Sequence, residues 1–183
     1  ALGTAVAHTL HAFHTLLVEP DRRWSLDDEL RVLAARAAAL RARMPTLSFR
    51  LARIYDALQD VGLSLRTRAA CTLIHRDFYH DQVLIDGETC TIVDLDLVST
   101  GDPSIDLGNF AAHLIELHWR GRLDAATAAA CLTAFADASI ERAPDIVTHD
   151  VIARYTLLSL GRLLEIASRF PDRAPLVPTL VER

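Results

Sequence analysis

Apolar residues recur at helical spacing through most of this 183-residue chain. A first helix is predicted over about 3–17. A second begins after Ser25, whose hydroxyl can cap the first turn together with Asp28, and it runs to Arg43. The proline-rich tail from residue 171 is expected to lack regular structure. The same spacing predicts further helices over about 47–63, 102–120, 124–139 and 145–170.

One short β element interrupts these helices. A strand over 71–74 precedes two β-prone runs, Val83-Leu84-Ile85 and Thr91-Ile92-Val93, which flank Asp86-Gly87-Glu88. An Asp-Gly pair between apolar runs is a strong signal for a hairpin turn. The expected fold class is therefore mainly α (α+β), a helical bundle with one small β-hairpin, in a single domain over residues 1–183.

Composition narrows the class of protein. Apolar residues make up 51% of the chain and aromatic residues only 6%, which favours a helical core. The net charge of −5 argues against a nucleic-acid surface, which needs a basic stripe. Cys71, Cys90 and Cys131 form no Cys-x-x-Cys pair, so reduced thiols are expected rather than disulfides or zinc. Neither a signal peptide nor an apolar span of membrane length is recognisable, so a cytoplasmic protein is expected.

The candidate chemistry lies in the segment that leads into the hairpin. In kinase-type sites, a His-x-Asp loop supplies a carboxylate that accepts the proton of the substrate hydroxyl. An amide side chain five residues later binds Mg²⁺, and a second Asp downstream joins the metal to the nucleotide phosphates. Asp77, Gln82 and Asp94 occupy these three places. A tight hairpin turn brings Asp94 opposite residues 79–81 and beside Gln82, which creates an oxygen-rich pocket suited to Mg²⁺.

Three motifs, in this order, resemble the aminoglycoside phosphotransferase and choline kinase superfamily, which shares the protein-kinase-like fold. They are His75-x-Asp77-x-x-x-x-Gln82-Val83-Leu84, Val93-Asp94-Leu95-Asp96 and Gly101-Asp102-Pro103-Ser104-Ile105-Asp106-Leu107. Leu10-His11 also resembles the end of a helix in this family. The resemblance covers roughly the first two thirds of the chain and corresponds to the family's carboxy-terminal lobe.

The resemblance implies a role for each matched residue. Mg²⁺ and ATP are the implied cofactors. Most members carry Asn where this chain has Gln82, and a Gln there is similar to the sugar-kinase branch that includes maltokinases. By resemblance the catalytic residues are Asp77, the carboxylate, and His75, which orients the loop. The resemblance also implies that Gln82 and Asp94 bind the metal and the nucleotide. Asp106 and Arg76 would brace the loop.

Asp96 is a further candidate metal ligand. It follows Asp94 by two residues and would lie on the same face of an extended strand, where it could contact a second metal ion or the acceptor. A loop-bracing role is the alternative. Arg76 could bind a phosphorylated activation loop in a regulated protein kinase. The segment between Asp94 and Asp106 is too short for such a loop, so regulation of this kind is not expected.

Two sets of side chains at helical spacing have competing interpretations. His8, His11 and His14 recur every third residue, but such a row drifts around a helix of 3.6 residues per turn, so packing or solvated roles are favoured over metal binding. His80 and Asp81 flank the pocket and are expected to shape the loop. Four side chains of the helix over 102–120 belong either to an acceptor pocket or to the core: Phe110, His113, Glu116 and Trp119.

Some parts of a complete kinase are missing from the sequence. The chain contains no lysine, so all 19 basic side chains are Arg, and none of its 7 glycines forms a Gly-x-Gly. A kinase needs a Gly-rich loop over the phosphates and a strand-borne Lys that binds them. The chain also begins at Ala1 without Met. We therefore expect this chain to be a carboxy-terminal lobe with little catalytic activity on its own, whose partner is a missing amino-terminal lobe.

The sequence thus predicts an ATP- and Mg²⁺-dependent small-molecule O-phosphotransferase. Its acceptor would be a small hydroxyl compound such as a sugar, an amino alcohol or an aminoglycoside, and neither nucleic acid nor membrane is an expected partner. Two alternatives stay open. A metal-dependent phosphohydrolase would use His80-Asp81 and His149-Asp150 as paired ligands of a transition metal. A non-catalytic binding or regulatory module would keep the kinase-like lobe without the part that grips the nucleotide.

Overall fold

The computed structural model describes residues 2–87 and 89–182. It is a helical domain with two small antiparallel β pairs, which confirms the predicted fold class. Among the described residues, no helix is both long enough and apolar enough to cross a membrane. The elements in chain order are α1 Leu2–His14, α2 Leu26–Arg43, α3 Ser48–Leu63, β1 Thr72–Ile74, β2 Val83–Asp86, β3 Thr89–Ile92, β4 Ser99–Gly101, α4 Ser104–Trp119, α5 Ala125–Arg142, α6 His149–Ala167 and α7 Leu176–Glu182.

Local side chains fix where the helices begin. Ser25 and Asp28 form the predicted capping box at α2, because the Ser25 hydroxyl accepts from the Asp28 amide at 3.2 Å and the Asp28 carboxylate accepts from the Ser25 amide at 2.9 Å. Thr148 caps α6 by accepting from the Val151 amide at 3.2 Å. The helix predicted from residue 145 therefore starts four residues later.

The expectation of an irregular tail is wrong. α7 forms over Leu176–Glu182 and buries Val177 and Val181 against the core. Pro178 lies in the first turn of this helix, where amide hydrogens have no acceptor within the helix, so the missing N–H costs nothing. The spacing of the two valines by one helical turn is the signal that the prolines obscured.

The helices enclose two apolar cores. The first lies among α2, α3, α6 and α7, and the second among α1, α4 and α5. α4 packs directly on α6 at Gly108, where a side-chain carbon would meet the backbone of Tyr155 and would come within 2.7 Å of the Thr156 nitrogen. This close approach holds α4 in place, and α4 carries the side chains that support the candidate site.

The β elements place the motif residues. β1 pairs with β4, with Thr72 opposite Gly101, and β2 pairs with β3, with Val83 opposite Ile92. Glu88, which belongs to the predicted turn, lies outside the described residues. The extended strand predicted to reach Asp96 does not form, because β3 ends at Ile92. Asp94 adopts a left-handed conformation with φ 61°, and a short 3₁₀ turn over Leu95–Leu97 follows it.

Candidate active site

The loop that begins at His75 is anchored by a buried carboxylate on α4. Asp106 is 0% exposed and accepts hydrogen bonds from the backbone amides of His75 and Arg76, each at 2.7 Å. The His14 ring of α1 adds a third, from Nε2 at 2.9 Å. Hydrogen bonds to an ionised acceptor are about twice as strong as neutral ones. Asp106 therefore fixes the backbone immediately before Asp77 and ties α1 and α4 to it.

His75 joins this loop to the strand that carries Asp94. Its ring is fully buried, and Nε2 donates to the Val93 carbonyl at 2.8 Å. Since that bond requires the proton on Nε2, the Nδ1 atom has no proton in the neutral ring, and it has no partner among the described residues. The edge of the His75 ring packs against Phe78 with ring centroids 5.8 Å apart. The position of Asp94 thus depends on His75.

Arg76 lies beside the loop rather than in the pocket. Its backbone is left-handed, with φ 73°, and its guanidinium stacks 3.5 Å from the centre of the Trp24 ring. Burial lowers the pKa of Arg76 below its ordinary value. Trp24 in turn donates from Nε1 to Glu29 at 2.6 Å. Arg76 therefore links the loop to the start of α2 in addition to its amide contact with Asp106.

A second set of contacts supports the loop from α6. Glu29 pairs with Arg162 at 3.1 Å, and Arg162 donates to the Asn109 side-chain oxygen at 3.0 Å. The Asn109 amide then donates to the Phe78 carbonyl at 3.1 Å. Phe78, the residue after Asp77, is therefore held by Asn109 of α4, and Asn109 is in turn held by contacts from α6 and α2. These helices are distant in sequence but meet around the loop.

Gln82 and Asp94 lie next to each other at the base of the hairpin. The Val93 amide donates to the Gln82 carbonyl at 3.0 Å, and the Gln82 side-chain nitrogen donates to the Asp94 carboxylate at 3.2 Å. Gln82 is buried, whereas Asp94 is exposed. The carboxylate and the amide oxygen are donors of the kind that Mg²⁺ prefers. The donor set fits Mg²⁺, although the Gln82 amide would have to turn so that its oxygen faces the ion.

The pKa of the Tyr79 phenol responds to three carboxylates of the loop and the hairpin. Burial, followed by the charges of Asp77, Asp81 and Asp94, raises the pKa of Tyr79 above its ordinary value. Asp77, from the loop, and Asp94, from the end of the hairpin, therefore both act on the Tyr79 phenol. The hydrogen bond from His75 to the Val93 carbonyl joins the two chain segments that carry these carboxylates, which are seventeen positions apart in the sequence.

Asp96 lies apart from this arrangement. It is exposed in the 3₁₀ turn, and its backbone carbonyl accepts from Arg22 at 2.9 Å. Among residues 2–87 and 89–182, no three His, Cys, Asp or Glu side chains come close enough to hold a metal ion. The structure contradicts the extended strand on which the argument for Asp96 rested, and a role of Asp96 as a metal ligand stays a prediction.

The paired His-Asp ligands of the alternative phosphohydrolase do not meet. His149 lies at the start of α6 and contacts Asp137 of α5 at 3.4 Å, and His80 contacts its neighbour Asp81 at the same distance. These two pairs form no three-ligand group in the part of the chain that the structure describes. A transition-metal site of the predicted kind is therefore absent from the described residues.

A cavity of about 260 Å³ opens beside Asp77. Its polar lining comes from the loop, from α4 and the residue after it, and from the segment after α6, and includes Tyr79, His113, Glu116, Arg120 and Arg173. Apolar side chains complete the lining: Leu163, Ile166 and Phe170. Of the four α4 side chains with competing interpretations, His113 and Glu116 line this cavity. Phe110 is buried in the core, and Trp119 lines a different, much smaller cavity.

Sequence reasoning missed the histidine that reaches the loop. Leu10-His11 was the pair that resembled the family, yet His11 does not contact Asp106 in this structure, and His14 does. His14 is buried on the same face of α1 as Leu10 and Phe13. A polar ring at the end of an apolar face was the available signal. The support from Asn109 and Arg162 had no comparable signal, because it depends on how three helices meet.

Comparison with known proteins identifies related sequences and folds. The sequence model of the phosphotransferase enzyme family, APH, matches residues 1–143. The comparison with curated protein sequences gave no significant match.

Solved structures of three kinases and phosphotransferases share the fold. A choline kinase from Streptococcus pneumoniae has a TM-score of 0.64 at 14% identity, over 98% of this chain and 62% of that one. A glucosamine kinase has a TM-score of 0.62 at 17% identity, over 99% of this chain and 50% of that one. An aminoglycoside phosphotransferase from Streptomyces rimosus has a TM-score of 0.58 at 15% identity, over 87% of this chain and 61% of that one. This chain therefore spans less than two thirds of their lengths.

Proposed function

Because this chain belongs to the phosphotransferase enzyme family, as the match over residues 1–143 shows, we propose that it is the catalytic and acceptor-binding lobe of a small-molecule O-phosphotransferase. The reaction would transfer the γ-phosphoryl group of ATP to a hydroxyl of a sugar, an amino alcohol or an aminoglycoside. One observation carries this proposal. Asp77 lines the cavity, and its loop is joined to the chain beside Asp94 by the hydrogen bond from His75 to the Val93 carbonyl at 2.8 Å, so that the proposed acceptor and metal sides of the site are adjacent.

In this proposal Asp77 is the catalytic carboxylate. It is exposed at the edge of the cavity, where it can accept a hydrogen bond from the acceptor hydroxyl and orient that oxygen for in-line attack. The proton of the hydroxyl would pass to Asp77 as the oxygen bonds to the γ-phosphorus and the bond from that phosphorus to the β–γ bridging oxygen breaks, which releases ADP. The contacts of Asp106 and His75 would keep the carboxylate in place, and such positioning supplies much of the rate gain in phosphoryl transfer.

Gln82 and Asp94 would hold Mg²⁺ through the amide oxygen and the carboxylate. When bound, the ion supplies charge neutralisation at the phosphate oxygens. The exposed position of Asp94 leaves its carboxylate accessible to a nucleotide, while burial of Gln82 fixes its backbone.

The groups that grip the nucleotide would come from a further lobe. This chain has no lysine to bind the α- and β-phosphates. Leu84, Ile85 and Leu95 of the hairpin region are 58%, 49% and 51% exposed, so large apolar side chains near Asp94 in the sequence are left uncovered. We propose that an amino-terminal lobe covers part of the hairpin region and completes the nucleotide site.

The test is the substitution Asp77→Asn in the protein that carries this chain. A coupled ADP-release assay with a panel of hydroxyl compounds first identifies an acceptor. Asp77→Asn should then lower kcat by about 10²–10⁴-fold, because the amide cannot accept the hydroxyl proton. Thermal unfolding should be unchanged, since Asp77 is exposed.

Asp56→Asn is the matched control. Asp56 is an exposed carboxylate of α3 and lies outside both the cavity and the hairpin, so this variant should keep the wild-type kcat. If Asp77→Asn transferred phosphate as fast as Asp56→Asn, the assignment of Asp77 and the proposed function that depends on it would be wrong.

A further inference from the structure

The wall of the cavity opposite the catalytic loop carries more positive than negative charge. The Arg120 guanidinium lies 3.3 Å from one oxygen of the Glu116 carboxylate, and the Arg173 guanidinium lies 3.5 Å from the other. All three side chains are largely buried, with exposures of 19%, 27% and 10% for Arg120, Arg173 and Glu116. Two guanidinium groups thus share one carboxylate, which leaves an excess of one positive charge at a partly desolvated position.

The two guanidinium groups also keep unused hydrogen-bond donors. Each guanidinium has five N–H donors. Among the described residues, Arg120 makes one side-chain hydrogen bond, to Glu116, and the Nε of Arg173 has no partner. The nearest other carboxylate to Arg173 is that of Asp172, at 3.9 Å. The Phe170 ring lies 4.8 Å from the Arg173 guanidinium and supports it through a cation–π contact.

Other titratable groups of the cavity bear on this balance. The His113 ring stacks on Tyr79 with ring centroids 4.4 Å apart, and burial, followed by the charge of His80, lowers the pKa of His113 to about 3, so this ring is neutral at neutral pH. Asp77 and Asp81 belong to the catalytic loop. The cavity as a whole therefore holds three carboxylates and two guanidinium groups, and its positive charge is confined to the wall of Arg120 and Arg173.

We propose that the acceptor carries an anionic group, a carboxylate or a phosphate, which Arg120 and Arg173 bind while its hydroxyl lies at Asp77; this rests on the proposed function. A guanidinium binds such groups through charge-assisted hydrogen bonds in a planar, two-pronged geometry. A cationic group at this wall would instead meet the positive charges of Arg120 and Arg173.

The dimensions of the cavity agree with a small acceptor. Its volume of about 260 Å³ falls just below the range of roughly 300–1,000 Å³ for pockets that hold drug-sized ligands. The site would therefore take a compound of about one sugar ring. The similar structures, at 14–17% identity, share the fold with this chain and do not determine its acceptor.

The test compares three sugars that differ in charge and share one ring. Binding of glucuronate, glucose and glucosamine to the protein that carries this chain is measured by titration calorimetry at one ionic strength and neutral pH. Glucuronate should bind roughly tenfold or more tightly than glucosamine, with glucose between them. Arg173→Gln should remove most of this preference, and Arg173→Lys, which keeps the charge, should retain part of it.

Arg122→Gln is the matched control. Arg122 is exposed two residues beyond Arg120 and is outside the cavity, so the variant makes the same change in net charge without altering the wall. The preference of this variant for glucuronate over glucosamine should equal that of the wild type. Circular dichroism on each variant checks folding, and Arg120→Gln replaces Arg173→Gln if the latter does not fold.

Equal binding of the three sugars, tighter binding of glucosamine or no detectable binding of glucuronate would overturn the proposal. The measurement needs no turnover, so its failure is distinguishable from failure of the proposed function. If Asp77→Asn abolishes transfer but glucuronate is not preferred, only the acceptor class is wrong. If glucuronate is preferred but Asp77 is dispensable, the cavity binds anions without being the acceptor site, which also overturns the proposal.

Discussion

Replacing Asp106 by Asn should unlock the catalytic loop from the rest of the domain. One carboxylate oxygen of Asp106 accepts from the His75 amide and from His14 Nε2, and the other accepts from the Arg76 amide. An Asn side chain has only one acceptor oxygen. If that oxygen replaces the shared one, the NH₂ group of Asn faces the Arg76 amide, which is also a donor.

The expected loss of stability follows from these contacts. Asp106 is 0% exposed, so solvent does not compensate for the change. Loss of a hydrogen bond to a charged group costs about 1.5–3 kcal/mol, and a buried donor left without a partner costs about 1–3 kcal/mol. The sum is about 2.5–6 kcal/mol, a large fraction of the roughly 5–15 kcal/mol by which domains of this kind are stable.

Urea denaturation followed by circular dichroism measures the global loss, and hydrogen exchange measures the local one. The amides of His75 and Arg76 should exchange much faster in Asp106→Asn, because their acceptor is weakened or removed. Asp150→Asn is the control, since Asp150 is an exposed carboxylate in the first turn of α6. If Asp106→Asn were no more destabilising than Asp150→Asn and left both amides protected, the anchoring role of Asp106 would be refuted.

Two further predictions concern the supporting helices. Gly108→Ala should destabilise the domain by at least about 1 kcal/mol in urea denaturation, because the added carbon meets the Tyr155 backbone. In Gly161→Ala the added carbon meets the movable ends of Leu58 and Leu33, so this variant should lose less stability. Equal losses in the two variants would contradict this explanation. Burial opposes ionisation of Glu165, but hydrogen bonds from Arg169, Arg43 and Arg36 outweigh it and lower the pKa of the Glu165 carboxyl group. The ionised carboxylate therefore contributes to stability above the ordinary carboxyl pKa. This contribution is lost as pH falls through the lower pKa of the folded state. The stability difference between wild type and Glu165→Gln should therefore shrink between about pH 7 and about pH 3, and a constant difference would rule out this linkage.

The sequence by itself determined the local elements and the family. The capping box of Ser25 and Asp28 and the hairpin around Gly87 depend on residues a few positions apart, so their chemistry is visible in the sequence. Three motifs in a fixed order predicted the aminoglycoside phosphotransferase and choline kinase superfamily, which the family match and the shared fold confirm. The hairpin geometry also placed Asp94 beside Gln82, where the structure has it. Their roles as metal ligands stay a prediction.

Only the tertiary structure decided which side chains surround that loop. His14 reaches Asp106 across 92 positions, and the charged wall of the cavity combines α4 with the segment after α6. The left-handed turn at Asp94 separated Asp96 from its supposed place, and burial of two valines produced a helix where prolines had predicted none. Periodicity shows which face of a helix is buried but not which neighbour buries it. That choice depends on how the helices pack in three dimensions, and at Gly108 on whether α4 can approach α6 closely enough.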